Sequence, residues 1–529
     1  MSGDGPYVIG IDGGTESLRA GVFDLAGRPL AFAATAYRTD FPQPGWAEQD
    51  PEDWWAALGA SVRQAVQEAG IAPEAVAALA VDTTCCSVVA LDEQGEALRP
   101  ALIWMDVRSA EETERVVASG DAALKINGGG AGPVSAEWMI PKALWLQRHE
   151  PEVFDRAATV CEYQDYLNYH LTGRRVASIN NAAIRWHYLA ADGGFQPELL
   201  ARLGIDALMD KWPSEVLPLG AVIGGLTARA AEHLGLPKDL PVAQGGADAF
   251  IGMIGLGVVR PGSLAFLTGS SHLHLGLSEM AFHGTGIWGT YADAVIPGLH
   301  VVEGGQTSTG SVVKWFRDLL GGGVSYDDLN AEAKDLPPGS EGLIAQDHFQ
   351  GNRTPHTDPL SRGAFAGLTL KHGRGHMFRA IIEGIAFGSE HILETMRGNG
   401  FRPREIVIAG GATRSDLWLQ IHADVSNVPL SLTRVPDAPS LGCAILAAVA
   451  AGQFPDIPAA ADAMVAVERV VEPDPKRHDA YRPFYEAYKR AYPALSGITR
   501  PLAAGSDQGS DQGSDQGPDQ GPDQGPDQG

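Results

Sequence analysis

The chain has 529 residues, of which 44% are hydrophobic and 20% charged, a composition that is usual for globular proteins. At roughly 100–200 residues per domain, this length predicts two to four domains. The sequence contains 39 basic and 65 acidic residues and has a net charge of −26. Nucleic acids and anionic membranes bind basic patches, so this charge argues against both as partners.

The cysteine pattern predicts a reduced, cytoplasmic protein. Cys85 and Cys86 are adjacent, which is poor geometry for a mutual disulfide, and neither Cys161 nor Cys443 completes a CxxC motif. Cytosolic proteins keep such thiols reduced. We expect no secretory signal, because the N-terminus has no basic segment followed by an apolar run. We expect no membrane span either, because no apolar stretch reaches about 18 residues.

The first part of the chain shows the signals of a mixed sheet flanked by helices. Three short apolar runs separated by tight turns predict an antiparallel meander. A helix follows, with Asp50 as its N-cap and Pro51 in its first turn. The predicted elements are strands over 7–12, 18–24, 29–37, 75–82 and 87–92 and a helix over 51–68.

A similar opening recurs in the second half, where a strand, a turn of glycine and hydroxyl residues and a second strand precede long helical patterns. This repeat predicts two related domains around a cleft, over residues 1–245 and 246–495, with the boundary near 241–246. A tail of Asp-Gln-Gly repeats over 505–529 has no apolar residue to bury and is predicted to be disordered. The predicted elements of this half are strands over 263–268, 272–277 and 405–409 and helices over 376–397, 416–426 and 440–451.

Common nucleotide and metal motifs are missing from the sequence. The dipeptide Gly-Lys never occurs, which excludes a Walker A loop, and there is no HExxH motif. His272 and His274 alternate along a predicted strand and would share a face. Two histidines without a third ligand are weak evidence for a metal site, so we favour ordinary packing for them.

Three turns rich in glycine and hydroxyl side chains follow predicted strands, over residues 12–19, 268–271 and 409–415. Glycines let backbone N–H groups converge on an anion, and an acid beside such a turn can hold a hydrated Mg²⁺ next to a bound phosphate. Each turn alone is also explained as a hairpin, or as a strand-to-helix connection capped by Thr413 or Ser415. Together, the three turns indicate a phosphate site in the cleft.

The first turn has the pattern Asp12-x-Gly14-Thr15-x-Ser17-x-Arg19, which matches the first phosphate motif of the superfamily of sugar kinases, actin and heat-shock-chaperone ATPases. Within it the chain resembles the FGGY carbohydrate kinases, and it is most similar to the ribulokinase-type pentulose kinases. The resemblance implies an α/β fold of two ribonuclease-H-like domains around a central cleft. The supporting segments are Trp104-Met105-Asp106-x-Arg108, Pro141-Lys142-Ala143-Leu144-Trp145-Leu146, Gly246-Ala247-Asp248-Ala249, Gly304-Gly305-Gln306, Ala409-Gly410-Gly411-Ala412 and Ser440-Leu441-Gly442-Cys443-Ala444.

The resemblance implies phosphorylation of a sugar or polyol hydroxyl, with ATP and Mg²⁺ bound in the cleft. Asp248 matches the family's catalytic aspartate and would accept the proton of the attacking hydroxyl. By sequence alone, a role as a helix N-cap explains Asp248 equally well. Asp12 is the predicted metal ligand. The predicted nucleotide-binding residues are Gly13, Gly14, Thr15, Ser17, Arg19, Thr268, Gly269, Ser270, Gln306, Gly410, Gly411 and Ser415.

The sugar site is predicted from residue types and from similarity to the pentulose kinases. An indole face suits the C–H groups of a sugar, while acids and arginines supply acceptors and donors for its hydroxyls. Glu303 resembles a sugar-contacting glutamate of the ribulokinase branch, and Arg185 falls where that branch carries a basic residue. Cys86 is explained alternatively as a small buried apolar residue. The predicted sugar-binding residues are Trp104, Asp106, Arg108, Cys86, Arg185 and Glu303.

We therefore predict a kinase for a terminal hydroxyl of a pentulose, with ribulose as the first candidate. The loop Thr84-Cys85-Cys86 differs from the Met-His pair usual in xylulokinases, which argues against xylulose. Ser415 replaces an asparagine of many relatives, which leaves the adenine contacts open. The alternatives are a kinase for another polyol or ketose such as erythritol, xylulose or glycerol, an actin-like or chaperone-like ATPase, and an inactive sugar sensor. The partners are then a small sugar or polyol and ATP, and a homodimer is left open.

Overall fold

The first half of the chain builds a large mixed sheet. The computed structural model describes residues 5–128, 132–284 and 286–508. The strands of this half are β1 (Tyr7–Gly13), β2 (Ser17–Asp24), β3 (Pro29–Ala36), β4 (Glu48–Gln49), β5 (Val76–Thr83), β6 (Val88–Leu91), β7 (Ala101–Leu102), β8 (Thr159–Glu162), β9 (Val176–Ser178), β10 (Glu215–Leu217), β11 (Val222–Gly225) and β12 (Pro241–Ala243). The large sheet has the order β11-β12-β5-β1-β2-β3, and the other strands form the smaller sheets β4-β7-β6-β8 and β10-β9.

The first helix shows how local sequence sets the boundaries of an element. The Asp50 side chain accepts the N–H of Glu52 at 3.0 Å, Pro51 occupies the first turn, and Gly70 ends the helix at a φ of 64°. The helices of this half are α1 (Pro51–Ala69), α2 (Ala110–Ala118), α3 (Met139–His149), α4 (Pro151–Arg156), α5 (Tyr163–Thr172), α6 (Ile179–Arg185), α7 (Pro197–Leu203), α8 (Leu208–Lys211) and α9 (Ala228–Leu234).

The second half builds another large sheet, of order β15-β16-β14-β13-β19-β20-β21. Its helices are α10 (Asp248–Gly255), α11 (Gly310–Leu319), α12 (Tyr326–Ala333), α13 (Arg374–Gly398), α14 (Asp416–Ser426), α15 (Ala438–Ala450), α16 (Ile457–Met464) and α17 (Pro475–Gln508). Its strands are β13 (Ser263–Thr268), β14 (His272–Ser278), β15 (Gly289–Ala292), β16 (His300–Gln306), β17 (Ile344–Gln346), β18 (Ala364–Ala366), β19 (Glu405–Gly410), β20 (Leu430–Thr433) and β21 (Val467–Val471).

The two large sheets share one topology. In the first, β1, β2 and β3 form an antiparallel meander, and β5 and β12 continue the sheet parallel to β1. In the second, β13, β14 and β16 form the meander, and β19 and β20 continue parallel to β13. The predicted internal similarity is therefore confirmed, and the β1–β2 and β13–β14 turns occupy equivalent positions.

Helices α10 and α15 form a tight seam between the two sheets. A Cβ on Gly10 of β1 would overlap the Ser440 carbonyl of α15, and one on Gly255 would overlap the Ala438 carbonyl. One buried apolar cluster includes residues of β1 and β5 from the first sheet, β19 from the second sheet, and the helices α10 and α15. The backbones meet closely because glycine removes the side chain at each crossing. This contact sets how the two turns face each other.

The predicted fold class, α/β with two related domains around a cleft, is confirmed. The proposed domain boundary falls between β12 and α10. The tail prediction needs one correction, since α17 continues to Gln508, and residues 509–529 lie outside the described part. His272 and His274 are buried against Phe266, so the packing interpretation of this pair is confirmed. No helix of the described residues is long and apolar enough to cross a bilayer.

Candidate active site

The turn between β1 and β2 forms one wall of the cleft. The Gly14 N–H donates to the Ser17 carbonyl at 3.0 Å and closes the turn. Gln49 Nε2 donates to the Thr15 carbonyl at 2.7 Å, and Trp104 Nε1 donates to Thr15 Oγ1 at 2.8 Å. The turn is thus held from both flanks, as a preformed phosphate cradle requires.

A cavity of about 520 Å³ lies at this turn and reaches across the cleft to Ser270, in the β13–β14 turn of the second sheet. Its size is within the range of small-molecule sites. Gly13 packs against Tyr163 at the start of this turn: a Cβ added to Gly13 would lie 3.0 Å from the Tyr163 hydroxyl. The lining residues are Asp12, Gly14, Thr15, Glu16, Ser17, Arg19, Trp104, Met105 and Ser270.

Asp12 lines the cavity and interacts electrostatically with three further aspartates, Asp82, Asp248 and Asp437. Asp12 and Asp82 are paired across the parallel strands β1 and β5. Burial, followed by the charges of Asp437 and Asp248, raises the pKa of Asp12 to about 7. Burial raises the pKa of Asp82 well above its usual range, and its Oδ1 has no hydrogen-bond partner in the described chain. Such an excess of carboxylates is suited to binding a cation.

Asp248 is the first residue of α10, where the chain enters the second domain. Its Oδ1 accepts the N–H of the next residue, Ala249, at 2.7 Å, and Ala247 occupies the N-cap position. The N-cap alternative is therefore not what the structure shows. Burial raises the pKa of Asp248 to about 6, which keeps it ionised at neutral pH and basic enough to accept a proton.

Three of the predicted sugar-site residues come together in a buried cluster. Arg185 of α6 binds Glu303 of β16 with Nη2 3.0 Å from Oε1, and Cys86 lies within electrostatic range of Arg185. The Tyr291 hydroxyl donates to Glu303 Oε2 at 2.7 Å, and Arg353 Nη2 lies 2.5 Å from Oε1. Burial opposes ionisation of Glu303, but Arg185 and Arg353 outweigh it and lower its pKa. The cluster joins the two domains through an ionised carboxylate.

Comparison with known proteins identifies the family. Residues 7–255 match the N-terminal domain of the FGGY family of carbohydrate kinases, and residues 264–451 match its C-terminal domain. The chain belongs to the FGGY family of carbohydrate kinases. It is therefore a phosphotransferase that uses ATP and a small-molecule sugar. This membership argues against the alternative of an actin-like or chaperone-like ATPase.

The FGGY kinase is similar along its length to proteins of different named substrates. It is 30% identical to an FGGY carbohydrate kinase domain-containing protein of Xenopus laevis, over 94% of this chain and 99% of that protein. It is 31% identical to a ribulokinase of Geobacillus thermodenitrificans, over 92% and 94% of the two chains. The crystal structure of a xylulose kinase from Rhodospirillum rubrum, 32% identical, superposes with a TM-score of 0.84 over 93% of this chain and 99% of that one.

In the kinase, the predicted sugar contacts Asp106 and Arg108 bind each other. Both side chains are buried, and Arg108 Nη2 donates to Asp106 Oδ2 at 2.7 Å. The Asp106 carboxylate also accepts the Ala47 N–H at 2.6 Å, and the Arg108 guanidinium stacks 3.7 Å from the Trp46 ring. The pair braces the segment that follows Trp104, while Trp104 itself lines the cavity.

On the nucleotide side, the β13–β14 and β19 turns are tied together by Thr268. Its hydroxyl donates to the Ala409 carbonyl at 2.7 Å and accepts the Ala412 N–H at 3.2 Å, so its only proton is used and it has no donor left for a phosphate. Gly269 accepts the Gly310 N–H at 3.2 Å. Gly410 has a φ of 99° and Gly411 is exposed. The two glycines leave an open surface for a flat or anionic group.

Two of the predicted nucleotide-binding side chains already have partners within the protein. Gln306 is buried, and its amide binds Asp347 at 2.7 Å and accepts the Ser389 hydroxyl at 2.7 Å. Ser415 caps α14, since its Oγ accepts the Trp418 N–H at 3.3 Å and donates to Asn330 at 2.8 Å. Both side chains have structural partners, and the capping interpretation of Ser415 is confirmed.

Asp437 is a site residue that sequence reasoning missed. Its carboxylate forms an ion pair with Arg19, whose guanidinium lines the cavity, and it also caps α15. Asp437 precedes Ala438 and Pro439, which is an ordinary helix start. No local signal connects it with Arg19, which is 418 positions away. Tyr291 and Arg353 were missed for the same reason.

The donor set at Asp12 fits Mg²⁺. Carboxylate oxygens are the ligands this ion prefers, and it usually keeps several waters while sharing one or two carboxylates with substrate phosphates. Among the described residues no three side chains converge closely enough to coordinate a metal by themselves. A hydrated ion held by Asp12 beside the glycine turn matches both observations.

Proposed function

We propose that this FGGY kinase phosphorylates a terminal hydroxyl of a pentulose, with ribulose as the preferred substrate. The observation that carries the proposal is the buried Arg185–Glu303 pair beside the cysteine loop. Glu303 is already bonded to Arg185, Tyr291 and Arg353, so a sugar at this cluster would bind by replacing one of these partners, and the arrangement of its hydroxyls would decide whether it can. The loop Thr84-Cys85-Cys86, which differs from the Met-His pair of xylulokinases, supports ribulose over xylulose.

The chemistry divides between the residues of the cleft. Asp248 takes the proton of the attacking hydroxyl, and the backbone N–H groups of the Gly13–Ser17 turn cradle the phosphates. Asp12 would hold Mg²⁺, and the bound ion would supply positive charge against the transferred phosphoryl group. Closure of the domains on the substrates would keep water from the phosphoryl group.

Three further parts of the proposal concern the protein as a whole. The domains extend over 1–245 and 246–495, which is supported by the position of the α10–α15 seam. The location is cytoplasmic, supported by four cysteines that are all free thiols. The homodimer left open by the sequence is decided by sedimentation of the purified kinase.

A coupled ADP-release assay over a substrate panel tests the substrate. The panel contains D- and L-ribulose, D- and L-xylulose, ribitol, erythritol, L-fuculose and glycerol, with a no-sugar control. We expect ADP release to depend on a ribulose, with kcat/KM at least tenfold above the other sugars. A preference for xylulose, erythritol or glycerol would overturn the ribulose assignment and keep the kinase.

A further inference from the structure

The loop after β5 carries two adjacent cysteines in an unusual backbone conformation. Cys86 has a φ of 66°, in the left-handed region that residues with a Cβ seldom adopt. Its thiol lies 3.7 Å from that of Cys85, which is half-buried beside the Arg185 cluster. A conformation of this kind persists only where the surroundings hold it, and it is concentrated at functional sites.

Two buried side chains hold the backbone of Cys86 from opposite sides. Glu162, at the end of β8, accepts the Cys86 N–H at 2.9 Å. Lys142, in α3, donates to the Cys86 carbonyl at 2.7 Å. Both side chains are fully buried. We call Lys142 and Glu162 the Cys86 clamp.

Lys142 also fixes a second segment of the cleft. Its Nζ donates to the carbonyls of Ile103 at 2.7 Å and Leu102 at 3.2 Å. The three protons of the ammonium are thereby all used, and every acceptor is a backbone carbonyl. A buried ammonium without a carboxylate partner is unfavourable by itself. Its position joins the cysteine loop to the segment that leads directly into Trp104.

Glu162 extends the connection to the sugar cluster. Its carboxylate also accepts Asn181 Nδ2 at 3.0 Å and Trp186 Nε1 at 2.5 Å. Asn181 lies in α6 and Trp186 follows it, and α6 ends at Arg185, the partner of Glu303. The clamp therefore fixes the cysteine loop relative to Trp104 on one side and to Arg185 on the other.

We propose that Lys142 and Glu162 are positioning residues for sugar binding, which hold the Cys85–Cys86 loop in register with Trp104 and Arg185. The inference rests on the proposed sugar-kinase function. Neither residue touches the substrate; each acts through the backbone of Cys86. Loss of either should loosen sugar binding more than ATP binding, because the glycine turn that cradles the phosphates is also closed by its own Gly14–Ser17 hydrogen bond and held by Gln49, which the clamp does not contact.

The variants are Lys142→Met, Glu162→Gln and, as a control, Lys211→Met. Lys211 also donates to a backbone carbonyl, that of Ala157 at 2.7 Å, but in a part of the domain away from the cleft. Glu162→Gln keeps the size and one acceptor oxygen, so it remains testable if Lys142→Met does not fold. Steady-state kinetics give KM for the sugar and KM for ATP, and thermal unfolding gives the stability of each variant.

We expect Lys142→Met to raise the sugar KM about tenfold or more, since hydrogen bonds from a charged group are lost, and to leave the ATP KM within about twofold. Glu162→Gln should shift the sugar KM in the same direction by a smaller factor, and Lys211→Met should leave it unchanged. A folded Lys142→Met or Glu162→Gln variant with the wild-type sugar KM would overturn the proposal. Equal rises in both KM values would overturn it as well.

A second measurement does not depend on sugar turnover. Alkylation of Cys85 and Cys86, followed by mass spectrometry of their peptide, reports how firmly the loop is held. We expect faster labelling in Lys142→Met than in wild type, and wild-type labelling in Lys211→Met. If wild type phosphorylates no sugar of the panel, the proposed function fails, but the labelling still decides whether the clamp holds the loop. Labelling of Lys142→Met at the wild-type rate would overturn the clamp.

Discussion

Asp12 and Asp82 lie directly opposite each other on the parallel strands β1 and β5, and both carboxyl groups have raised pKa values. Burial is the largest cause for each, and the neighbouring aspartates add to it. Two buried carboxylates on adjacent strands repel each other, which favours protonation of one of them unless a cation is present. We therefore expect cation binding at the phosphate turn to release a proton from the pair.

Mg²⁺ binding to the nucleotide-free kinase should strengthen as the pH rises through about 7. The reason is that Asp12, with its pKa raised to about 7, must lose its proton before it can accept the ion. Calorimetric titration one unit below and one unit above that pH, in two buffers of different ionisation enthalpy, measures affinity and protons released. Asp12→Asn should abolish the proton release; a wild-type affinity that is independent of pH would contradict this account.

Asp248→Asn should lower kcat by roughly 10²–10⁴, the usual contribution of a positioned general base. The amide keeps the shape and the contact with the Ala249 N–H, so sugar binding should stay within a few-fold of wild type. Rapid-mix ADP release measures the chemical step and calorimetry measures sugar binding. Asp239→Asn, at an exposed acid near the domain boundary, is the matched control and should behave as wild type. Full turnover in Asp248→Asn would remove this residue from the base role.

The rate with saturating Mg²⁺-ATP should fall on the acid side of about pH 6. Burial raises the pKa of Asp248 to about 6, and only its ionised form accepts a proton. Activity is thus present above this pKa and is lost as the pH falls through it. A profile of kcat/KM for the sugar between pH 5 and 8 measures this fall in activity. If kcat/KM does not fall between pH 8 and pH 5, Asp248 of the sugar-free kinase is not desolvated as it is here.

Much of the frame could be predicted from the sequence, because its elements have local signals. The boundaries of α14 were predicted to the residue, since Ser415 caps it and Asn427 follows in the left-handed conformation. The β1–β2 and β13–β14 strands were predicted from apolar runs ending at glycine turns. Local patterns and turn chemistry decide such elements before any tertiary contact is made.

The site could be predicted only where a motif carries it. Arg19 and Asp437 meet across 418 positions, and nothing near Asp437 distinguishes it from a helix cap. Asp106 and Gln306 show the converse: their residue types suit a ligand, but in the structure their hydrogen bonds go to buried protein partners. Burial and long-range pairing depend on the whole fold, so residue type alone does not separate contact from support.

The adjacent glycines of the β19 turn should respond differently to alanine. Gly410 has a φ of 99°, and a Cβ there would overlap the Thr268 carbonyl, so Gly410→Ala should lower the free energy of unfolding by about 1–3 kcal/mol. A Cβ on Gly411 meets no atom within 4 Å, so Gly411→Ala should leave stability unchanged. If the nucleotide passes over this turn, Gly411→Ala should still raise the ATP KM several-fold without changing the sugar KM. Denaturant unfolding and steady-state kinetics of the two variants measure both effects, and an unchanged ATP KM in Gly411→Ala would remove this glycine from the nucleotide site.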